Sequence, residues 1–575
     1  MKRIIAKYVG LIVVTFALSI GIYEYVEANR PIDTEADLLY TQNQLEQQYL
    51  NNTNFTIDNP NVILNPYGNS PLTALIVFQT KDLTTTTVTI KGKDGSSDIT
   101  HTFTPAKVHI LPIYGLYPDY ENKVIISASG ITKEITIKTD KLPDDFTKVT
   151  NLNNNDYKTT EFYFTTPEEA GYTAAYDVDG NVRWYLIGDY KWDIQRLNNG
   201  HILVSSDKIL KKSYSVGLIE MDLLGKVYYE YVVPGGYHHD AYELNNGNLL
   251  LASNRTFGNT IEDYAVEIDR ATGNIVKTID LNKILPGKHE KNWFKMDAIN
   301  YDINTNSITV SGYNSNMIVN LDYNNLNINW IIADKDKVSK EYKPYLLKAN
   351  GNVDYPNEPE SINILDDNSL IFASSKDNKK HLLTYKIDYS NRSFKQVDDY
   401  ALKNKDKTYL EVLNDSYIVT QGNKLYEIND DDEVLSIEVD SSVYNTKKMD
   451  LYANDIYTGV QGVRLGSLGE SLRVKNFILL NSKVDNDILK KYNISLYKDV
   501  FGLKVKGTFK ESDDVQIILD NVLDKKTYDL NVPEKSNKKV NSSRYISEDG
   551  IKGKFYIYLR INGTIYKLHK YVIFY

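Results

Sequence analysis

The chain has 575 residues, more than one ordinary domain needs, and a net charge of −10 with both signs interspersed. This charge argues against a nucleic-acid-binding protein, which normally presents a basic face. The chain contains no cysteine, which excludes disulfides, thiolate metal sites and cysteine nucleophiles. Tyrosine is unusually common, with 46 residues, and aromatic residues suit pleated sheets, so the composition predicts a mostly β protein.

The first residues combine positive charge with a long apolar run. Lys2, Arg3 and Lys7 precede a largely apolar segment over residues 8–26, and about 20 apolar residues are enough to cross a bilayer. The positive charges place residues 1–7 in the cytoplasm and the rest outside. We therefore expect a single-pass signal anchor in the cell membrane, with the bulk of the chain extracellular. A cleaved signal peptide is the alternative.

The segments that follow the anchor and the segment that ends the chain are predicted to be small units. Residues 27–50 are polar and read as a linker with a short helix. Residues 51–142 carry short alternating strands, such as 74–78 and 87–90, with turn formers between them. This pattern predicts a small β-sandwich. Residues 485–575 read as a further β appendage that carries no recognisable chemistry.

The central part, residues 150–478, contains an internal repeat. A strand with an acidic residue, a turn and a second strand recur about every 40 to 65 residues. The copies begin at residues 174, 217, 265, 317, 383 and 425. Such a repeat predicts a six-bladed β-propeller with four strands per blade. An elongated β-array is the alternative, and the even spacing favours the closed ring.

The other half of each repeat is a strand, a turn and a strand, as in residues 197–200 (Leu-Asn-Asn-Gly) and the matching residues 244–247. We count five residues back from the leucine of each copy, and we align the remaining repeat by its Trp-Phe dipeptide. The positions obtained are Trp192, His239, Lys295, Glu360 and Thr408. Equivalent positions of a propeller meet at one mouth of its central channel. We therefore expect these side chains to converge.

Two of the eight histidines, His238 and His239, are adjacent. Neighbouring residues of a strand point to opposite faces, so we expect these two side chains to be a poor chelating pair. The sequence predicts neither a metal nor a cofactor. His239 is the candidate functional histidine of the channel. His238 is either a substrate-binding residue or a hydrogen-bonding residue within the blade.

Three stretches resemble the bacterial aryl-sulfate sulfotransferases, also called arylsulfotransferases. They are residues 65–78 with 114–120, residues 238–240 with the Asn-Asn-Gly turn that follows, and residues 293–312. The resemblance covers most of residues 50–480. It implies a six-bladed propeller outside the cytoplasmic membrane. It also implies transfer of a sulfuryl group from a phenolic sulfate ester to a phenol, without a nucleotide sulfate donor.

The resemblance further implies ping-pong chemistry through a sulfohistidine. His239 matches a channel histidine of the family. Lys295 and Asp297 stand where the family has His-x-Asn after Trp-Phe, and the five-residue count gives Glu360 at the place of the nucleophilic histidine. We therefore expect His239 as nucleophile or general base, Lys295 as a cation at the sulfate, and Glu360 as a base toward the acceptor phenol.

Other candidate residues and functions remain open at this level. The candidates for substrate binding are His238, Arg255, Asp297, Tyr313, Trp192 and Thr408. The expected partners are a small aryl sulfate and a phenol, and the sequence does not indicate an oligomeric state. One alternative is a catalytically degenerate propeller that acts as a cell-surface binding protein. Another is a hydrolase or lyase that uses Glu360 and His239, with a metal.

Overall fold

The computed structural model describes residues 42, 45–46, 54–168, 171–206, 209–211, 214–255, 259–270, 273–413, 416–452, 477–481, 487–499, 502–510, 513–520, 525–529, 539–546 and 553–574. The described chain is all-β, as predicted. It divides into two compact units, one of residues 39–472 and one of residues 1–38 and 473–575. The predicted anchor at 8–26 lies outside the described residues, and no helix among the described ones is long and apolar enough to span a membrane.

The N-terminal part of the larger unit is a five-stranded antiparallel sheet. Its strands are β1 (Asn61–Leu64), β2 (Ala74–Ile90), β3 (Ile99–Ile113), β4 (Glu121–Ala128) and β5 (Ile131–Lys138). The predicted strands 74–78 and 87–90 are two halves of β2. The register with β3 shifts between Gln79 and Thr84, so only the second half of β2 also pairs with β4.

The rest of the larger unit consists of short antiparallel strands. In chain order they are β6 (Val149–Asn154), β7 (Phe162–Pro167), β8 (Ala174–Tyr176), β9 (Val182–Tyr185), β10 (Ile194–Arg196), β11 (Ile202–Ser205), β12 (Ile209–Lys211), β13 (Tyr214–Met221), β14 (Val227–Glu243), β15 (Leu249–Ser253), β16 (Tyr264–Ile268), β17 (Ile275–Asp280), β18 (Met296–Asp302), β19 (Ser307–Gly312), β20 (Met317–Asp322), β21 (Ile328–Ile332), β22 (Lys348–Ala349), β23 (Glu360–Ile364), β24 (Ser369–Lys376), β25 (Lys379–Asp388), β26 (Ser393–Ala401), β27 (Thr408–Val412), β28 (Ser416–Gln421), β29 (Lys424–Asn429), β30 (Asp432–Val439) and β31 (Val443–Met449). Helix α1 (Leu281–Ile284) and the 3-10 helix η1 (Lys340–Tyr345) connect some of them.

These strands pair into successive sheets. One sheet has the order β10-β11-β13-β14-β15-β16-β17, with β12 on β13; the next ones are β18-β19-β20-β21 and β22-β26-β25-β24-β23. The last two sheets join the beginning of this region to its end, because β30 pairs with β6 and β31 pairs with β7. We call β10, β14, β18, β23, β27 and β31 the inner strands. They contact one another in that order, and β31 also contacts β10.

The predicted hairpins are confirmed. In the turn after β14, the Leu244 amide donates to the Asn248 carbonyl and the Gly247 amide donates to the Leu244 carbonyl, both at 2.8 Å. Gly247 adopts a φ of 82°, a left-handed conformation that glycine reaches without steric cost. Apolar side chains fill the space between neighbouring sheets, as Leu250 of β15 and Ile308 of β19 do in one buried cluster.

The smaller unit is also antiparallel β in its described part. Its elements are β32 (Phe477–Asn481), α2 (Asp487–Lys491), β33 (Ser495–Asp499), β34 (Gly502–Lys510), β35 (Val515–Asp520), β36 (Lys525–Asp529), β37 (Lys539–Ile546), β38 (Gly553–Ile561) and β39 (Thr564–Phe574). Its sheets run β32-β39-β38-β35-β36 and β33-β34-β37. Since β32 pairs with β39, the C-terminal sheet begins before the predicted boundary at residue 485.

Candidate active site

The inner strands surround a cavity of about 370 Å³. Each of them, or the residue directly before it, lines the cavity: Asp193 precedes β10, and the other five strands contribute His239, Asp297, Ser361, Tyr409 and Asn445. These residues are up to 252 positions apart in sequence, yet Asn445 Nδ2 donates to Asp193 Oδ1 across the meeting point of β31 and β10. The cavity therefore gathers one end of each inner strand, and His239 is part of its wall.

A bulge in β14 places the two histidines side by side. The register between β14 and β15 shifts between Tyr237 and Ala241, and His239 adopts a φ of 59°. A bulge re-aims the side chains at its centre. The Nδ1 atoms of His238 and His239 consequently lie 2.9 Å apart. The prediction that these side chains point to opposite faces is wrong, because it assumed a regular strand.

The hydrogen bonds of His238 determine the tautomer of His239. The Ser253 carbonyl can only accept, so Nε2 of His238, 2.9 Å away, carries the hydrogen. Burial lowers the pKa of His238, and in the neutral ring Nδ1 is then an acceptor. His239 must therefore donate from its own Nδ1. This leaves Nε2 of His239 with an unprotonated lone pair.

His239 is also held in its neutral form. Burial lowers its pKa well below the ordinary value, and the positive charge of Lys407, the neighbouring His238 and the charge of Lys295 lower it further. The side chain is only 6% exposed but lines the cavity. A neutral imidazole with a free Nε2 can act as a nucleophile at neutral pH.

Three aromatic side chains form a wall beside His239, and Tyr409 is the one of these three that lines the cavity. The rings of Trp192 and His239 have centroids 4.7 Å apart, and Tyr444 packs edge-on against Trp192 at 5.0 Å. Tyr409 follows at 4.0 Å from Tyr444. Such a wall suits an aromatic ring, since aromatic pairs prefer tilted or offset contacts at these distances.

Cations lie next to this wall. Lys407 Nζ is 4.7 Å from the ring centroids of both Tyr409 and Tyr444, and 3.5 Å from Asp297 Oδ1. Lys295, the residue directly before β18, places its Nζ 3.9 Å from the ring of Tyr313. Burial raises the pKa of Tyr313 to about 12, and the charge of Glu360 adds to this effect.

Glu360 lies in a closed environment. Its Oε2 is 3.2 Å from Lys380 Nζ, and these two side chains are 1% and 2% exposed. The same Oε2 accepts the Thr408 amide at 2.9 Å. Burial raises the pKa of Glu360 to about 7, and the negative charge of Asp297 contributes. The structure thus brings Glu360 and Thr408 into contact, with Lys380 as the counterion.

Arg255 is placed among carboxylates. Its Nη2 donates to Thr260 at 2.9 Å and to Asp263 at 2.7 Å, and lies 3.1 Å from Asp280. Among the described residues, its polar contacts are with these three side chains rather than with His239. Substrate binding by Arg255 stays a prediction.

Sequence reasoning missed four residues of this region: Lys380, Lys407, Tyr409 and Tyr444. Lys407 and Tyr409 flank the predicted Thr408, so the five-residue count came within one position of both. Tyr444 precedes the centre of β31, which no Leu-Asn-Asn-Gly turn follows. Lys380 gave no signal, because it reaches Glu360 from β25 of the same sheet. No group of three histidine, aspartate or glutamate side chains in the described part of the chain has a metal-binding arrangement.

Comparison with known proteins identifies two domains. Residues 138–429 match the family model "Arylsulfotransferase (ASST)", and residues 61–141 match the "Arylsulfotransferase Ig-like domain". The arylsulfate sulfotransferase AssT of Lelliottia amnigena is 22% identical over an alignment of 303 residues, and the match covers 39% of this chain and 49% of that protein. The chain therefore aligns with about half the length of this curated relative.

The solved structures that match this chain share little sequence with it. A protein of unknown function from Bacteroides caccae is 13% identical, with a TM-score of 0.33 over 51% of this chain and 99% of its own. The periplasmic gluconolactonase of Pseudomonas aeruginosa is 11% identical, with a TM-score of 0.31 over 64% of this chain and 100% of its own.

The family model alone spans half of the sequence, from the end of the N-terminal sheet to β29, and the chain belongs to the arylsulfotransferase family.

Proposed function

We propose that the protein transfers a sulfuryl group from a phenolic sulfate ester to a phenol, through a sulfohistidine on His239 and without a nucleotide sulfate donor. The observation that carries this proposal is the pair of 2.9 Å contacts from His238 to the Ser253 carbonyl and to Nδ1 of His239, which directs the lone pair of His239, a residue of the cavity wall, to Nε2. Membership of the family and the likeness to an arylsulfate sulfotransferase give the substrate class.

The reaction has two halves. In the first, Nε2 of His239 attacks sulfur, the sulfur–oxygen bond of the ester breaks, and a phenolate leaves. In the second, the acceptor phenol gives its hydroxyl proton to a base as its oxygen attacks sulfur, the sulfur–nitrogen bond breaks, and the electron pair of that bond returns to the imidazole. Lys295 and Lys407, whose charges both act on His239, stabilise the sulfuryl oxygens in the transition state. Trp192 and Tyr444 pack against the aromatic ring of the substrate.

Glu360 is the candidate base that the sequence suggests, and its pKa of about 7 suits that task. Its Oε2 nevertheless faces both Lys380 and the Thr408 amide. These contacts favour a supporting role, in which Glu360 fixes the start of β27 beside the cavity.

The proposal includes the architecture and the location. The circle of inner strands and the pairing of β6 with β30 and of β7 with β31 support a six-bladed β-propeller that is closed by strands from both of its ends. An N-terminal anchor over 8–26 would hold this propeller at the outer face of the cell membrane, where small aryl sulfates and phenols are accessible.

The alternative is a propeller that binds such ligands without turnover. One observation favours it: Glu360, which the five-residue count gives at the place of the family's nucleophilic histidine, lies in a buried ion pair. This alternative predicts ligand binding without phenolate release.

The test is a transfer assay with the full-length protein, 4-nitrophenyl sulfate as donor and phenol as acceptor. We expect acceptor-dependent release of 4-nitrophenolate that falls at least about 10³-fold in His239→Ala, since loss of a nucleophile removes the covalent route. Glu360→Ala should retain the first turnover. His289→Ala, whose ring stacks on Trp293, is the matched histidine control. Release that survives in His239→Ala contradicts the proposal, and ligand-induced stabilisation without any release supports the binding protein.

A further inference from the structure

Among the described residues, three buried polar atoms beside His239 make no hydrogen bond of ordinary geometry, although the hydroxyls of Tyr409 and Tyr444 interact with each other. The three atoms are Asp297 Oδ1 and the hydroxyl oxygens of Tyr409 and Tyr444. The three residues are 3%, 7% and 3% exposed. Lys407 Nζ lies 3.5 Å from Asp297 Oδ1, within ion-pair range. Folded proteins rarely leave buried polar groups unpaired, because each one loses its hydration without compensation.

The three groups lie in one place. Asp297 and Tyr409 line the same cavity as His239. The ring of Tyr444 is 4.0 Å from that of Tyr409 and 6.5 Å from that of His239. Asp297 is the negative charge that acts most strongly on Tyr444. A ligand that contacts one of these groups is therefore close to the others and to the nucleophile.

The groups require a ligand atom that both accepts and donates. Burial raises the pKa of both tyrosines well above the usual range, so their hydroxyls stay protonated and can donate. The carboxylate of Asp297 can only accept. A sulfate oxygen only accepts and would be repelled by that carboxylate. A phenolic hydroxyl matches both requirements, since its oxygen accepts from a tyrosine while its hydrogen is donated to Asp297.

We propose that Asp297 is the general base for the acceptor phenol and that the hydroxyls of Tyr409 and Tyr444 hold the phenolic oxygen. This inference rests on the proposed function and assigns the acceptor site within it. The phenolic O–H bond breaks toward Asp297 Oδ1 as the oxygen–sulfur bond forms. The sulfur–Nε2 bond of sulfo-His239 breaks, and its electron pair stays on the imidazole. In the donor half-reaction, protonated Asp297 returns the proton to a basic leaving phenolate.

The contacts of Asp297 suit this task better than those of Glu360. The Ser361 amide donates to Asp297 Oδ2 at 3.3 Å and orients the carboxylate. Lys407 Nζ lies 3.5 Å from Oδ1 without a hydrogen bond to it, so Oδ1 can still accept from the phenol. Glu360 does not line the cavity, and its Oε2 contacts Lys380 and the Thr408 amide.

The two half-reactions separate this role from a structural one. Release of 4-nitrophenolate needs no proton, because that leaving group is a stable anion. In full-length Asp297→Asn we expect the first-turnover burst to stay within about fivefold of wild type, while transfer to phenol falls by about 10²–10⁴-fold, the usual contribution of a general base. The loss should shrink to less than about tenfold with a polyfluorinated phenol that is already ionised. Asp406→Asn, an exposed carboxylate next to Lys407, is the charge control and should behave as wild type.

The tyrosines provide a second measurement. Tyr409→Phe and Tyr444→Phe should each raise KM for phenol by roughly tenfold, as hydrogen-bond donors to the substrate are lost. Equal transfer to phenol in Asp297→Asn and wild type, or an equal loss with ionised and protonated acceptors, overturns the assignment of the base. A wild type without a burst contradicts the proposed function instead. In that case, a phenol-induced rise in Tm that is the same in wild type and Tyr409→Phe/Tyr444→Phe overturns the phenol site itself.

Discussion

His239 and Glu360 occupy the same place in two copies of the repeat. Each stands five residues before the first leucine of a hairpin turn, Leu244 or Leu365. Each also lies at a bulge, because the register shifts after Tyr237 in β14 and after Glu360 in β23. The two bulges differ in detail, because the left-handed residue is His239 itself in β14 (φ 59°) but Ser361, the residue after Glu360, in β23 (φ 50°).

The surroundings of the two side chains differ. His239 donates a hydrogen bond from its Nδ1 to the ring of His238, and the lone pair on its Nε2 remains free beside the cavity. Glu360 is closed off by Lys380, which reaches it from β25 of the same sheet. The position in the repeat therefore does not by itself make the side chain reactive. The partner that the sheet supplies decides whether the side chain faces a ligand or belongs to the core.

The first prediction, with the largest effect, concerns Glu360, the closed position of the two. Lys380→Met leaves Glu360 buried without its counterion, and we expect the free energy of unfolding to fall by about 3–5 kcal/mol. The double variant Glu360→Gln/Lys380→Met should recover most of this loss, because no charge remains buried. Urea unfolding measures both changes. Lys403→Met is the control, since the pair Lys403–Glu433 is solvent-exposed on the lysine side and should cost less than about 1 kcal/mol. Similar losses in the two lysine variants would contradict the buried-pair interpretation.

The second prediction concerns His239, the open position of the two. His238→Phe removes the acceptor for Nδ1–H of His239, so the imidazole is free to adopt the tautomer with a protonated Nε2. We expect the first-turnover burst to drop by about 10²-fold, less than the ~10⁴-fold that loss of the orienting aspartate causes in a serine protease triad. His238→Asn keeps an acceptor oxygen near the position of Nδ1 and should return the burst to within about tenfold of wild type. Equal bursts in the Phe and Asn variants would show that the tautomer is not controlled by residue 238.

Sequence patterns predicted the features of the fold that depend on local turn chemistry. The Leu-Asn-Asn-Gly segments form hairpins because the glycine adopts a positive φ, as Gly200 and Gly247 do. The pairing of β6 with β30 and of β31 with β7, which joins the beginning of the repeat region to its end, could not be predicted in the same way. It joins Val149 to Val439 and Phe162 to Met449, and pairings over such separations carry no signal within one repeat.

The candidate site was predictable only as far as the strands are regular. The five-residue count places Trp192 and Thr408 at the starts of β10 and β27. In β18 the corresponding turn begins at Ile303, whose carbonyl accepts the Asn306 amide at 3.4 Å, and the same count leads to Ala298 rather than Lys295. Bulges and the partners across a sheet, such as Lys380, come from tertiary pairing, which repeat spacing does not encode.

The smallest expected effect is in the pH dependence, and it distinguishes the two positions directly. The pKa of His239 lies well below the ordinary value, mainly because of burial. The burst should therefore change by less than about twofold between pH 8 and pH 5.5, whereas an unperturbed imidazole with a pKa of about 6.5 would retain about a tenth of its neutral form at pH 5.5.

The pKa of Glu360 is about 7. If Glu360 were the base for the acceptor, transfer to phenol would fall below pH 7 in wild type as the carboxylate takes up a proton, and this dependence would disappear in Glu360→Gln. We expect the opposite, namely the same acceptor profile in both proteins, because Glu360 stabilises the sheet and the acceptor proton goes to Asp297. Stopped-flow release of 4-nitrophenolate at each pH, with and without phenol, measures the two profiles. A burst that titrates near pH 6.5 would mean that His239 is solvated like a surface histidine, and the open position would then lose the property that sets it apart from Glu360.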